Sequence, residues 1–211
     1  MARRTKAEAE QTRQRIIDAA RKVFYQSGVG RSTLEEIAKV AGVTRGAVYW
    51  HFENKAELFF AMRAQVTLPL IDRFDSTLQS GQEEDPLEGI EAALNEILSI
   101  LETDATTREV FKIIKLRCEY VDEFADILVE INDSHICLAE QLTLAYQRAR
   151  DKNVLRAGLE PRAMALDTSV FIVGLTQRWL SESASGPIAS NARQMIRSHV
   201  ALRRQDRQAG R

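Results

Sequence analysis

Apolar residues recur at intervals of three and four along almost the whole chain, a period that builds helices rather than strands. Ile16, Ile17, Ala20, Val23 and Phe24 form one such face, and Leu34, Ile37, Ala38 and Ala41 a second. Leu58, Ala61, Met62 and Val66 form a third, and Leu87, Ile90, Leu94, Ile97, Leu98 and Leu101 a fourth. Phe124, Ile127, Leu128, Ile131, His135, Leu138, Leu142, Ala145 and Ala149 keep one stripe for roughly seven turns. No segment alternates with a strand's period of two, and 10 Gly and 4 Pro in 211 residues are too few for a turn-rich β fold. The expectation is an all-α chain of about nine helices.

Stops and starts divide these faces. Gly28 ends the first helix, and Thr33 with Glu36 forms a capping box that opens a short second one. Gly42 breaks that helix. Thr44 then caps a third, over Arg45–His51, with Val43 and Val48 as its hydrophobic staple. Asn54 caps a fourth, with Glu57 at the box position; Pro69 inside its pattern predicts a bend or break, and a candidate hinge. The run Ser80–Pro86 is a surface loop, and Pro86 suits the first turn of a fifth helix. Thr106 and Glu109 predict a capping box for a sixth. A long seventh follows, Pro161 opens an eighth, and Ser185–Pro187 separates a ninth. The polar stretch from Arg203 is expected to fray.

Charge and composition narrow the class. Residues 1–60 carry eleven basic and seven acidic side chains, and the remainder eighteen and twenty-three. A basic head on an acidic body suits a chain whose head alone meets a polyanion. No apolar run approaches the roughly 20 residues that span a bilayer, and the basic start lacks an apolar secretion segment. The protein is expected in the cytoplasm, without contact to the membrane. Cys118 and Cys137 have no metal-binding spacing and are expected as free thiols. No cofactor and no metal site is expected.

The second and third helices, joined at Ala41–Thr44, make a helix-turn-helix. In that motif the first helix braces on the DNA backbone and the second enters the major groove. Val48 faces inward, leaving Arg45, Gly46 and Tyr49 outward, and small Gly46 and Ala47 let the backbone approach DNA. An arginine at a helix start can pair with both acceptors of a guanine, and an aromatic can meet a thymine methyl or a phosphate. Lys55, at the next helix start, sets a cation beside free amide groups, a phosphate site. Trp50 is counted with this face, though a place in the core is the alternative; Phe52 is assigned to the core. Arg3, Arg4 and Lys6 form either an arm reaching a minor groove or a solvated tail.

The whole ordered string from Thr33 to Lys55 resembles the helix-turn-helix of the TetR (tetracycline repressor) family, as does the preceding helix with Ala19, Ala20, Phe24 and Gly28. The basic start and the ending Tyr49-Trp-His-Phe52 resemble most the multidrug-efflux-pump repressors of the acriflavine-resistance type. The resemblance implies DNA contacts at Thr33, Thr44, Arg45, Gly46, Tyr49, His51 and Lys55. It implies an N-terminal DNA-binding domain over residues 1–66, with the fourth helix as connector to about residue 80. Residues 67–211 would then bind ligand and dimerise. The partners implied are double-stranded operator DNA, a second copy of the chain, and a small lipophilic inducer (an antibiotic, dye or plant-type aromatic).

In the body, the eighth helix is apolar on several sides, which suits burial against both a pocket and a second subunit. Phe171, Leu175 and Trp179 from it, with Met195, Ile196 and His199 from the ninth, are the candidate dimer interface. Polar groups set within apolar faces mark the candidate pocket: Phe111, Ile114, Lys115 and Cys118, then Cys137, then Thr168, Phe171 and Ile172. Plain core packing is the competing reading for each. Three other functions remain open. A DNA-bound regulator without a ligand would lack a pocket. An enzyme with a DNA-binding head would need a nucleophile, phosphate loop or metal spacing, none of which is found. A nonspecific DNA coat would need a strongly basic chain, and the pI is near 6.3.

Overall fold

The structure, a computed structural model, describes residues 6–80, 85–183 and 185–205. Among them are nine α-helices and no strand, the all-α architecture expected. No helix among the described residues is long and apolar enough to cross a membrane. The chain divides into two compact units. One holds the residues up to Leu68 together with Ala105–Val129; the other holds Pro69–Asp104 and the residues from Glu130 onward.

In the first unit, α1 (Lys6–Ser27) buries Ile16, Ile17, Ala20, Val23 and Phe24, the face its spacing predicts. Gly28 ends it with φ +80°, a left-handed turn that costs an L side chain strain. α2 (Leu34–Ala41) and α3 (Arg45–His51) follow, burying Ile37, Ala38, Ala41 and Val48. α6 (Ala105–Leu116) joins this unit by packing on α1, where Arg21 pairs with Glu109. At the centre, Phe59 sits 6.0 Å from Phe24 and 5.7 Å from Phe124, ring to ring. All three rings are buried, and each contributes about 2–3 kcal/mol through apolar area removed from water.

Two expectations change here. Thr106 does not cap α6: the helix already begins at Ala105, and Glu109, its expected box partner, is held by Arg21 of α1. Pro69 does not break α4, which runs from Lys55 to Ser80. Its missing amide frees only the carbonyl of Gln65, and both residues are exposed, so water can satisfy that carbonyl. Of the predicted loop Ser80–Pro86, residues 81–84 lie outside the described residues, while Ser80 ends α4 and Pro86 opens the next helix. Arg3 and Arg4 of the N-terminal arm also lie outside them, and Lys6 opens α1.

The second unit is built on α5 (Pro86–Thr103), α7 (Ala125–Asp151, from residue 130), α8 (Pro161–Ser181) and α9 (Pro187–Ala201). Leu87, Ile90, Leu94, Leu98 and Leu101 of α5 are buried, and α9 packs on both α5 and α8. The stretch after α9 does not fray as far as Gln205. Arg203 is only 5% exposed, pairs with Asp167 and donates to the carbonyl of His199. Its carbonyl accepts the Arg156 amide at 2.8 Å, and the Gln205 amide donates to Val154 at 2.8 Å. Arg204 pairs with Asp85. Long-range ion pairs and a short antiparallel bridge thus hold a segment whose composition alone suggests a tail.

Candidate nucleic-acid interface

The helix-turn-helix is held by caps at each of its corners. Thr33 Oγ1 accepts the Glu36 amide at 3.2 Å, and Glu36 returns the bond by accepting the Thr33 amide at 3.0 Å. Thr44 Oγ1 accepts the Ala47 amide at 3.2 Å at the start of α3. Asn54 accepts the Glu57 amide at 2.8 Å at the start of α4. Between α2 and α3, Gly42 takes φ +64°. Arg15 of α1 donates to the Ala41 carbonyl at 2.7 Å and to that of Gly42 at 3.3 Å, satisfying orphan carbonyls at the end of α2. Any Cβ at residue 42 would lie 3.3 Å from the Arg15 guanidinium, so only glycine suits both the turn and the arginine. Nothing in the local spacing points to Arg15, which acts across 26 residues.

Anchored by buried Val48, α3 turns its other side outward. Arg45 and Gly46 are exposed, Tyr49 is 46% exposed and Trp50 72%. An exposed tryptophan settles its alternatives: Trp50 is not core, whereas Phe52 is, under the guanidinium of Arg13 at 5.1 Å. The Arg45 guanidinium lies 5.4 Å from the centre of the Tyr49 ring and reaches its hydroxyl at 3.4 Å. The pair holds a flexible cation in one direction on an open surface. His51 is half-buried, its ring edge-on to Trp50 at 4.5 Å. A groove of about 450 Å³ runs along this face, lined by Thr33, Arg45, Tyr49, Asn54 and Lys55 among others. Lys55 points its ammonium away from open solvent, into backbone carbonyls of the turn before α2.

The residues proposed for a pocket fall in both units. Phe111, Ile114, Lys115 and Cys118 belong to the first, on α6 and just beyond it. Ile114 is buried, Phe111 half-buried, and burial lowers the Lys115 ammonium below its ordinary pKa. Burial also pushes the Cys118 thiol up to about 11, so it stays a thiol at neutral pH. Cys137 is exposed on α7.

Thr168, Phe171 and Ile172 lie in the second unit. Thr168 is fully buried, its hydroxyl 2.8 Å from the Tyr146 phenol and 3.0 Å from His199 Nε2. Phe171 stacks on the His199 ring at 3.9 Å and 12°. The structure therefore joins candidates assigned to pocket and interface into one hydrogen-bonded chain. Tyr146 completes that chain and is absent from the sequence-based candidates, although its place beside Leu142, Ala145 and Ala149 on the buried stripe is legible. Of the interface candidates, Leu175 and Ile196 are buried within the chain itself, while Trp179, Met195 and His199 are half-buried. On the outer side of α8, Leu166 and Val170 are exposed, Val170 at 73%.

An all-helical chain with a capped helix-turn-helix presenting Arg45, Tyr49 and Trp50 is a DNA-binding regulator by its architecture. Residues 16–62 match the bacterial regulatory proteins of the tetR family, and residues 85–204 the C-terminal region of MAATS-type transcriptional repressors. The chain belongs to the TetR family of transcriptional regulators. It is 38% identical over 180 residues, 85% of each chain, to the HTH-type transcriptional regulator TtgR of Pseudomonas putida. Its fold matches NalD, the secondary repressor of the MexAB-OprM multidrug efflux pump in Pseudomonas aeruginosa. That match has a TM-score of 0.84 and 31% identity over 95% of this chain and 100% of NalD. A complex of SmeT with triclosan matches with a TM-score of 0.79 and 28% identity over 93% of each chain. SmeT is the repressor of the Stenotrophomonas maltophilia multidrug efflux pump SmeDEF.

Proposed function

We propose that this regulator is a cytoplasmic, ligand-responsive repressor of a multidrug efflux operon, released from a palindromic operator by a small lipophilic inducer. The observation that carries the proposal is the exposed, pre-set Arg45–Tyr49 pair on α3, in a chain similar over nearly its whole length to named efflux repressors. Arg45 would read a guanine, Gly46 would allow close approach, and Tyr49 and Trp50 would meet phosphates or thymine methyls. Thr33, Thr44 and His51 border the same face. Residues 1–66 read DNA in this proposal, α4 connects, and residues 67–211 bind inducer and dimerise. Its role is regulatory, with no catalytic step.

Two copies are needed to read a palindrome, their recognition helices about 34–36 Å apart. Exposed Leu166 and Val170 on α8, and half-buried Phe171, Trp179, Met195 and His199 at other positions around α8 and α9, leave surface for the second copy. Inducer release requires different affinities for the DNA-bound and free arrangements. The test is fluorescence anisotropy on the duplex upstream of the protein's own gene, with triclosan and a panel of lipophilic antimicrobials. Salt-sensitive, sequence-preferring binding that a compound releases is the expected result. Tight binding that no compound releases would remove the inducer from the proposal, and equal binding to scrambled DNA would remove the operator.

A further inference from the structure

Lys55 occupies the place where a phosphate contact is expected, yet its ammonium has no proton left to give. A lysine ammonium carries three N–H donors. Lys55 Nζ lies 2.9 Å from the carbonyl of Val29, 3.2 Å from that of Gly30 and 3.0 Å from that of Ser32. The Phe124 ring lies 5.5 Å from the same nitrogen, on a side where no donor is required. The turn so gripped is fixed from elsewhere too. The Val29 amide donates to the Arg117 carbonyl at 2.9 Å, just past the end of α6, and the Ser32 amide returns to Val29 at 3.3 Å. Thr33, the cap of α2, follows directly.

These bonds are charge-assisted and hold carbonyls that no helix or strand would otherwise satisfy. To reach a phosphate, the ammonium would have to abandon at least one of them. We infer that Lys55 is a positioning residue for DNA reading, a three-carbonyl tie that sets the start of α2 against the start of α4, and that it neutralises no phosphate. The inference rests on the DNA-reading function proposed above and departs from it on this residue.

Salt dependence separates the two roles, because each neutralised phosphate releases counterions. The full chain and its Lys55→Met variant are compared on a duplex that the wild-type protein selects from a randomised pool, between about 50 and 200 mM salt. The tie predicts affinity lower by roughly ten-fold at every salt, with the slope of log K against log salt unchanged. It also predicts faster amide exchange at Val29 and Ser32. A phosphate contact predicts a slope shallower by about two per dimer, which would overturn the inference. A variant with a lower Tm, but with wild-type affinity, slope and Val29 exchange well below that Tm, would overturn it as well. Should Lys55→Met not fold, Lys55→Gln keeps two donors and is expected to show a smaller loss with the same unchanged slope. If the wild-type protein selects no sequence, the DNA-reading function fails, and the exchange of Val29 and Ser32 still decides the tie.

Discussion

The helices of the two units begin differently. α2, α3 and α4 start on Thr33, Thr44 and Asn54, whose side chains accept amides of the first turn. α5, α8 and α9 start on Pro86, Pro161 and Pro187. Asp85 accepts the Leu87 amide of α5, Glu182 reaches back to the Ile188 amide of α9, and α8 has no side-chain cap. A proline fixes φ and removes an amide that would have been an orphan. It makes a firm start with one donor fewer to offer. A hydroxyl or amide cap satisfies one donor and leaves its neighbours open, and the partial positive charge of the helix end remains available to an anion. The head thus starts the helices of its reading motif on hydroxyl and amide caps, and the body starts its helices on prolines.

The comparison breaks most severely if the head loses its centre. Phe59→Ala removes the ring between Phe24 and Phe124 and is expected to cost about 3–5 kcal/mol. Urea unfolding measures the loss, and amide exchange locates it. Protection should fall across α1–α3 while the amides around Tyr146 and Thr168 keep theirs. Equal loss in both units would mean that they do not differ as separate packing bodies.

A smaller effect belongs to the body, whose interior carries polar groups in series. His199 is pushed down to about 4, first by burial and then by the charge of Arg203, with Asp167 opposing. Its unfolded pKa is near 6.5, so between about 6.5 and 4 the unfolded chain binds a proton that the folded chain refuses. The imidazole's contribution is therefore complete above pH 6.5 and is lost as pH falls toward 4. Discounted for solvent screening of a half-open ring, it is about 1–2 kcal/mol. Carboxylates also weaken the fold in acid, so the measurement is the difference in urea midpoint between wild type and His199→Gln at neutral pH and near pH 4.5, roughly inside that window. A difference that does not change with pH would mean that the ring is solvated in the folded chain.

The same contrast governs what the residue order makes legible. The caps Thr33, Thr44 and Asn54, the stop at Gly28 and the starts at Pro86 and Pro161 depend on neighbours within four positions, and each stands where the spacing places it. The features that escape such reading span the chain. Glu109 answers to Arg21, 88 residues away, instead of capping its own helix. Arg203 answers to Asp167, which turns an expected tail into a docked end. Lys55 looks like a surface cation because the three carbonyls it binds carry no side-chain signature. The face of α3 is legible because a recognition helix has one buried anchor, Val48, and everything opposite it points outward. The body offers no such rule. Thr168, Phe171 and His199 each sit on an apolar face, and periodicity cannot say which of them bond to one another.

The smallest effect tests the helix starts themselves. Thr33→Ala removes the hydroxyl half of a reciprocal box and should cost about 1 kcal/mol of stability. Pro161→Ala restores a backbone amide to α8 and freedom to the unfolded chain, and should cost about 0.4–1 kcal/mol. The two changes are similar in stability, so their effects on DNA binding separate the functions of the two kinds of start. Thr33→Ala should weaken binding because it loosens the end of α2 that borders the groove, and Thr33→Ser should restore it. Pro161→Ala should leave affinity at the wild-type value when both proteins are fully folded. If it weakened binding as much as Thr33→Ala does, helix starts in the head would have no special relation to DNA, and the caps would be stabilising devices alone.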